Sequence, residues 1–394
     1  MRQRRHGHVR QRSPGSWEVR YTLGTEPGTG KRRTITATVK GERRDAEREL
    51  RRLLRTLDTG EHVDPTRMTV NDWLTIWLST VRSEVSPKTH ERYGDLVRCF
   101  LIPELGAYRL AKLAPVHIQN AYNKWAVAGR RDGKIGGLAP QTRRHIHRVL
   151  KSALSRAVKQ FVIGRNPADN IDKLPKIERR PLTVLTAEQS ARLIKGLAHT
   201  RAYWPVLIAL STGMRRGEIL ALRWRNVDLD RSLVTIVESL EQVFGHREGI
   251  RFKLPKSGKG RAVTLPSFAV EELRGLRREQ AEELLKLGIR QSDDTLLCPR
   301  VDGKPMAPAS LTREFWRLVG RLKDIPRIRF HDLRHIHATE LLRAGVQSKV
   351  VQERLRHSSI NITMDVYSHV SETLQRDAAI ELDSVFRSLL KKSR

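Results

Sequence analysis

The chain has 394 residues, with 75 Lys and Arg against 43 Asp and Glu, a formal net charge of +32. That length exceeds what one hydrophobic core organises, and 39% hydrophobic residues excludes wholesale disorder. Two cysteines, Cys99 and Cys298, exclude a disulfide framework, and no apolar run reaches membrane-spanning length. The basic excess fits a polyanion, nucleic acid above all, whose phosphates Lys and Arg would neutralise; a merely solvated basic surface is the competing reading.

Met1 to Arg12 reads as a basic arm, disordered until it meets DNA, and no apolar stretch follows it, so no secretory signal is expected. Trp17–Leu23 alternates apolar and polar residues, Pro27–Gly30 turns, and Arg32–Val39 alternates again, which predicts a β-hairpin within a three-stranded sheet. Helical spacing over Asp45–Leu57 predicts a helix packed on that sheet. Residues 1–62 thus form a first domain suited to a DNA groove, followed by a linker at Gly60–Pro65.

Residues 66–170 read as an all-helical domain. A helix over Thr69–Val81 takes Asn71 or Asp72 as its cap, and a second starts at Pro87 and runs through Phe100 until Pro103 and Gly106 interrupt it. A third opens at Ala114-Pro115, and Gly129–Gly137 turns. The last, Pro140–Phe161, puts His145, Arg148, Lys151 and Arg156 on polar faces. Asn166–Pro181 reads as a second linker. The third domain, 180–394, begins with a helix capped by Thr186 and alternates helices with a strand-rich insert at 226–265.

Five strings carry chemistry in this domain. In Thr212-Gly-Met-Arg215-Arg-Gly-Glu218, Arg215 stands beside an apolar helix and needs a partner, which Glu218 supplies three residues on. In His331-Asp-Leu-Arg334-His335, His331 and Arg334 are helical neighbours able to address one anion. Read alone, His331, His335 and His337 could instead bind a metal, although Asp332 stands where a zinc-protease motif has Glu. Leu355-Arg356-His357 is followed, ten residues beyond His357, by Tyr367. Phe252–Leu265 reads as two strands flanking a Ser257-Gly-Lys-Gly260 turn, a hairpin with lysines at its tip.

In this order the strings resemble the tyrosine recombinase (phage integrase) family, over roughly Leu182–Ala379, and more weakly its core-binding domain over 66–170. The resemblance implies an α+β multidomain fold. Its parts would be a small sheet-plus-helix arm-binding module, an all-helical, SAM-like core-binding domain, and a mainly helical catalytic domain with a small β-hairpin. It implies Arg215, Lys256, His331, Arg334, His357 and Tyr367 as the catalytic set, with Glu218 in support and Lys253 and Lys259 as rivals of Lys256. Arg356 departs from the pattern, standing where Gly is common, which puts the local turn in doubt. The implied activity is site-specific DNA recombination through a 3′-phosphotyrosyl intermediate, with no cofactor and no metal, integrating or excising a mobile element. Double-stranded attachment sites would be the substrate and a homotetramer the assembly, with the segment from Ala378 to Leu390 docking on a neighbour. A directionality factor and a host DNA-bending protein are possible further partners. The expected location is the bacterial cytosol, at the nucleoid and off the membrane. Rival readings are a type IB-like topoisomerase, a non-catalytic DNA-binding regulator and a metal-dependent hydrolase.

Overall fold

The computed structural model describes residues 7–25, 32–58, 67–177, 183–243, 249–255, 258, 260–356, 359–360, 364, 379–380, 382–383 and 386–387. The chain divides into two compact units, Met1–Glu178 and Arg179–Arg394. It is a mixed fold, chiefly helical, with small sheets.

At the N-terminus, strands β1 (Gly7–Ser13), β2 (Ser16–Thr25) and β3 (Arg32–Lys40) form an antiparallel sheet in that order. The register sets Val9 opposite Val19, Val19 opposite Ala37 and Trp17 opposite Val39, so one face collects the apolar residues. Helix α1 (Arg43–Asp58) covers that face with Ala46, Leu50, Leu53 and Leu54. The arm expected to be disordered is therefore a strand from Gly7 onward. Its alternation of His8 and Arg10 outward with Val9 inward lets it pair with β2 and satisfy its backbone groups. Residues 1–6 and the Gly60–Pro65 linker lie outside the described residues.

The helical module starts with α2 (Val70–Val81), capped by Thr69 rather than Asn71 or Asp72. Thr69 Oγ1 accepts from the Asp72 N–H at 3.2 Å, and the Asp72 carboxylate accepts from the Thr69 N–H at 2.9 Å. Helix α3 (Pro87–Leu96) runs through a π-helical turn, Val97–Leu101, into α4 (Ile102–Leu105). Pro103 therefore does not interrupt the helix. It has no N–H and needs room from the carbonyl four residues back, and the widened turn, closed by the Ile102 N–H on Val97 O, gives that room. The chain turns only at Gly106.

Helices α5 (Pro115–Ala128) and α6 (Pro140–Lys159) complete the module around Trp73, Trp77, Leu101, Ile118, Tyr122, Ile146 and Leu150. The expected second linker starts later than Asn166, because Pro167 and Ala168 are buried. Asn166 Nδ2 donates to Lys151 O at 3.1 Å and Ser155 Oγ at 2.9 Å, tying the segment to α6.

In the second unit, α7 (Ala187–Gly196) is capped by Thr186, with Gln189 closing the capping box. The core is built on α8 (Tyr203–Thr212), whose residues are buried on nearly every side, with short α9 (Arg216–Leu220) directly after it. Strands β4 (Val227–Asp228), β5 (Leu233–Ile236), β6 (Ser239–Gln242), β7 (Ile250–Lys253) and β8 (Arg261–Thr264) follow. The chain then forms α10 (Ser267–Lys286), α11 (Pro308–Val319), α12 (Asp332–Arg343) and α13 (Ser348–Leu355).

The expected hairpin is corrected here. β7 and β8 do not pair with each other; β7 pairs with β6 and β8 with β5. The turn-back therefore falls between Gln242 and Ile250, and the lysine-bearing segment joins the two return strands. The alternation of each strand was visible, but nothing local chose its partner. No helix among the described residues is long and apolar enough to cross a membrane.

Candidate active site

Helix α8 ends at Gly213, which adopts a left-handed φ of 67°. A Cβ at this position would lie 2.4 Å from Leu355 Cδ2 and 2.7 Å from His337 Cδ2, so conformation and packing both demand glycine. The turn hands Arg215 to the start of α9, where its N–H donates to Glu218 Oε2 at 3.0 Å and its Nη1 to Glu218 Oε1 at 2.9 Å. Glu218 is buried, at 2% exposure. It also receives a forked pair from Arg261 on β8, Nη1 to Oε1 at 3.0 Å and Nη2 to Oε2 at 2.7 Å. Burial alone would raise the Glu218 pKa; the Arg261 hydrogen bonds and charge, then Arg215, outweigh it and hold the carboxyl at about 2.

Arg334, in the first turn of α12, is buried at 3% exposure and has no carboxylate within ion-pair reach among the described residues. Its Nη1 donates to Gly213 O and its Nη2 to Leu355 O, so two main-chain carbonyls fix the plane of the guanidinium. Burial, then the Arg215 charge, lower its pKa to about 9, which leaves it cationic at neutral pH. The end of α8, α9, β8, α12 and the end of α13 thereby bring Arg215, Glu218, Arg261 and Arg334 into one cluster with three cations to one anion.

His331 stands just before α12 and reaches the surface. Partial desolvation, then His335, Arg334 and Arg215, lower its pKa to about 4, so the ring is neutral near pH 7 and able to accept a proton. His335 sits edge-on to it, ring centroids 5.4 Å apart. His337 faces elsewhere: its Nδ1 bonds Leu210 O at 2.7 Å and its Nε2 accepts from Arg354 Nε at 3.2 Å. Arg354 also donates to Ser211 O and Thr264 O, joining α13 to α8 and β8.

Arg356, the departure from the family pattern, takes φ 54° and ψ 54°, the left-handed geometry a glycine would adopt freely. Its Nη1 donates to Gly260 O at 3.1 Å, and its own carbonyl accepts from Arg215 Nη2 at 3.4 Å. The turn is thus made with an arginine whose side chain is tied down. Lys253 is on β7, ion-paired with Glu241. Lys256, Lys259, His357 and Tyr367 lie outside the described residues.

The sequence profile described as "Phage integrase family" matches residues 183–373, and "Phage integrase, N-terminal SAM-like domain" matches 69–126. A tyrosine recombinase XerC-like protein of Caldanaerobacter subterraneus subsp. tengcongensis is 26% identical over 362 residues, covering 87% of this chain and 90% of its own. The ICEBs1 integrase of Bacillus subtilis is 25% identical over 381 residues, covering 96% and 99%. The chain belongs to the phage integrase family of tyrosine recombinases.

The fold agrees. The Tn1549 transposon integrase in complex with a circular intermediate DNA superposes with a TM-score of 0.66 at 20% identity, covering 80% of this chain and 99% of that one. A lambda integrase dimer bound to a COC′ core site gives 0.56 at 17%, covering 93% and 96%. The protein is accordingly a site-specific recombinase of the integrase type that serves a mobile element.

In this integrase Arg261 and Arg354 hold the site together, although the sequence motifs give neither a role. Arg261 left a readable signal: on β8 it shares the inward face with Val263, so its charge had to find a buried partner. Arg354 left none, because its partners, two carbonyls and the His337 ring, come from three distant elements.

Proposed function

We propose that this integrase cleaves and rejoins double-stranded attachment-site DNA with Tyr367 as the nucleophile. The observation that carries the reading is the Arg215–Glu218–Arg261–Arg334 cluster: two oriented guanidiniums, Arg215 and Arg334, in excess over the carboxylate present. A phosphodiester in transit to a pentacovalent state gathers negative charge on its non-bridging oxygens, and prealigned arginines stabilise that charge without reorganising. The Tyr367 phenol attacks phosphorus and the 5′ oxygen leaves. His331, neutral near pH 7, takes the phenolic proton, Lys256 protonates the leaving oxygen, and His357 donates to a non-bridging oxygen. Lys259 is the remaining rival for the acid, since Lys253 is already paired. The 3′-phosphotyrosyl link retains the bond until a second 5′ hydroxyl reverses the step, which requires neither ATP nor a metal.

The division we propose is an arm-binding domain at 1–62, a core-binding domain at 66–170 and a catalytic domain at 180–394. The four-protomer assembly on paired sites has support in the C-terminal segment, where Ile380, Leu382 and Phe386 are exposed on this chain and free to dock on a neighbour. Val385, Leu389 and Leu390 of that segment lie outside the described residues. The lambda integrase, to which the chain is similar in fold, forms a tetramer bound to a Holliday junction.

The test is a nicked duplex spanning the attachment site, incubated with protein in EDTA. The expected result is a covalent protein–DNA band that Tyr367→Phe abolishes. A band that persists in Tyr367→Phe removes Tyr367 from its role, and cleavage only on adding metal removes the mechanism.

A further inference from the structure

Beside the catalytic cluster lies a cation that the chemistry above leaves unused. Arg216 follows Arg215 directly, and neighbouring residues at a helix start diverge rather than share a face. Their partners confirm the divergence: Arg215 reaches the Arg356 carbonyl beyond α13, whereas Arg216 reaches α11 through Nη1 on Thr312 Oγ1. Thr312 donates its own proton to Pro308 O at 3.1 Å, so its lone pair is committed to holding the guanidinium.

Arg216 is half-buried, and among the described residues no carboxylate lies within ion-pair distance of it. The other partly or fully buried arginines of this region are compensated. Arg215 and Arg261 share Glu218, Arg223 has Glu238, Arg251 has Glu241, Arg334 and Arg354 each hold two carbonyls, and Arg356 holds Gly260 O among its contacts. Arg216 has one hydroxyl. None of its remaining N–H groups is both sealed from solvent and unbonded, so they are open to solvent. Keeping a cation part-buried on one neutral acceptor costs stability, and the cost is recovered when an anion arrives.

We propose that Arg216, seated by Thr312, binds a second backbone phosphate of the DNA, distinct from the scissile phosphate held by Arg215 and Arg334. The inference rests on the DNA-cleaving reading of the same unit. Its role is to set the register of the strand, so that the scissile phosphate arrives at the cluster rather than one nucleotide away.

Two measurements on the full-length protein test it. In the first, the salt dependence of duplex binding is compared for wild type, Arg216→Ala, Arg216→Lys and Thr312→Val. Losing one phosphate contact lowers the slope of log K against log salt by about 1 and weakens binding roughly tenfold in Arg216→Ala. Arg216→Lys keeps most of the slope and loses the fork, and Thr312→Val, which keeps the charge, gives a smaller loss.

In the second, single neutral methylphosphonates are placed along the nicked duplex. At the phosphate held by Arg216 the alanine variant suffers no additional loss, whereas at every other position the two losses multiply. Effects that multiply at all positions, or an unchanged slope in Arg216→Ala with a wild-type thermal midpoint, overturn the proposal. So does non-additivity at the scissile phosphate alone, which would place Arg216 in the clamp. Failure of wild type itself to bind or form the adduct would instead overturn the underlying reading, and the inference with it.

Discussion

The helical module at 67–177 and the second unit both bury polar groups, in opposite ways. In the module the central ones are neutral and paired: Tyr122 Oη pairs with His147 Nδ1 at 2.9 Å, Trp73 Nε1 donates to Ala153 O at 2.9 Å, and Asn166 holds two partners on α6. In the second unit the buried groups of the Glu218 cluster are ionised and out of balance, with Arg215, Arg261 and Arg334 around its single carboxylate. The first arrangement fixes packing. The second maintains positive charge where water is scarce, a state that only an incoming anion completes.

The comparison breaks most sharply at Glu218. Glu218→Gln keeps the shape and removes the one negative charge, leaving Arg215 and Arg261 facing each other. Breaking a buried pair in this way costs about 3–5 kcal/mol. Hydrogen exchange resolved by peptide should show it as faster opening of α8, α9 and α12 with α2–α6 unchanged. Unaltered exchange in α9 would mean that Glu218 carries no such burden.

Acid should discriminate next. Burial, opposed by the Leu210 carbonyl, holds His337 at about 4 in the folded chain, against 6.5 as its ordinary value. Above pH 6.5 both states are neutral and stability is flat. Between 6.5 and about 4 the unfolded chain takes the proton and the folded chain does not, so stability falls with pH, by about 3 kcal/mol at 1.36 kcal/mol per pH unit. Below 4.5 Glu218 adds to the loss, since its folded carboxylate stays ionised down to about 2 while the unfolded one protonates. His337→Gln should therefore make the first part of the curve less steep, measured at α12 and α13, leaving the share of His331, which burial also lowers to about 4, and the second part. His147, also lowered by burial, gives the helical module a weaker dependence of the same sign. An identical slope in wild type and His337→Gln would sink the assignment.

Much of this contrast was written in the sequence. The Arg215–Glu218 spacing, the His331–Arg334 pair and most helix boundaries follow from neighbours within four residues, and local rules read these well. What was hidden depends on distant chain. Arg261 finds Glu218 across 43 residues and Arg334 finds Gly213 O across 121, and neither partner leaves a mark beside the residue it serves. The strand pairing of β5 to β8 failed for the same reason, as did Pro103, whose tolerance depends on a π-helical turn that periodicity does not announce. The ordered β1 was concealed by its charge: a basic run reads as a tail until a partner strand is known.

In the helical module the effects should be small. Tyr122→Phe deletes a hydroxyl whose ionisation burial already disfavours and leaves the neutral His147 ring short of one partner. The cost of one such bond is about 1 kcal/mol. It should appear in the exchange of α5 and α6, with α8–α12 untouched. A loss as large as that of Glu218→Gln would erase the distinction between the two regions.

The smallest effect sharpens the contrast furthest, because it sets two terms of similar size against each other. Arg356 holds a left-handed backbone that favours glycine, at a cost of about 1 kcal/mol for any residue with a Cβ. Its side-chain bond to Gly260 O returns about the same amount. Arg356→Gly removes both, so the stability of the second unit should change by under about 1 kcal/mol. Arg356→Ala removes the side-chain contacts but keeps the strain, so it should be the less stable of the two variants. If both variants lose equally, the backbone at 356 carries no strain. If glycine is much the worse, the arginine side chain is holding β8 to the end of α13, and Gly260 to Arg356 would join the cluster as part of its frame.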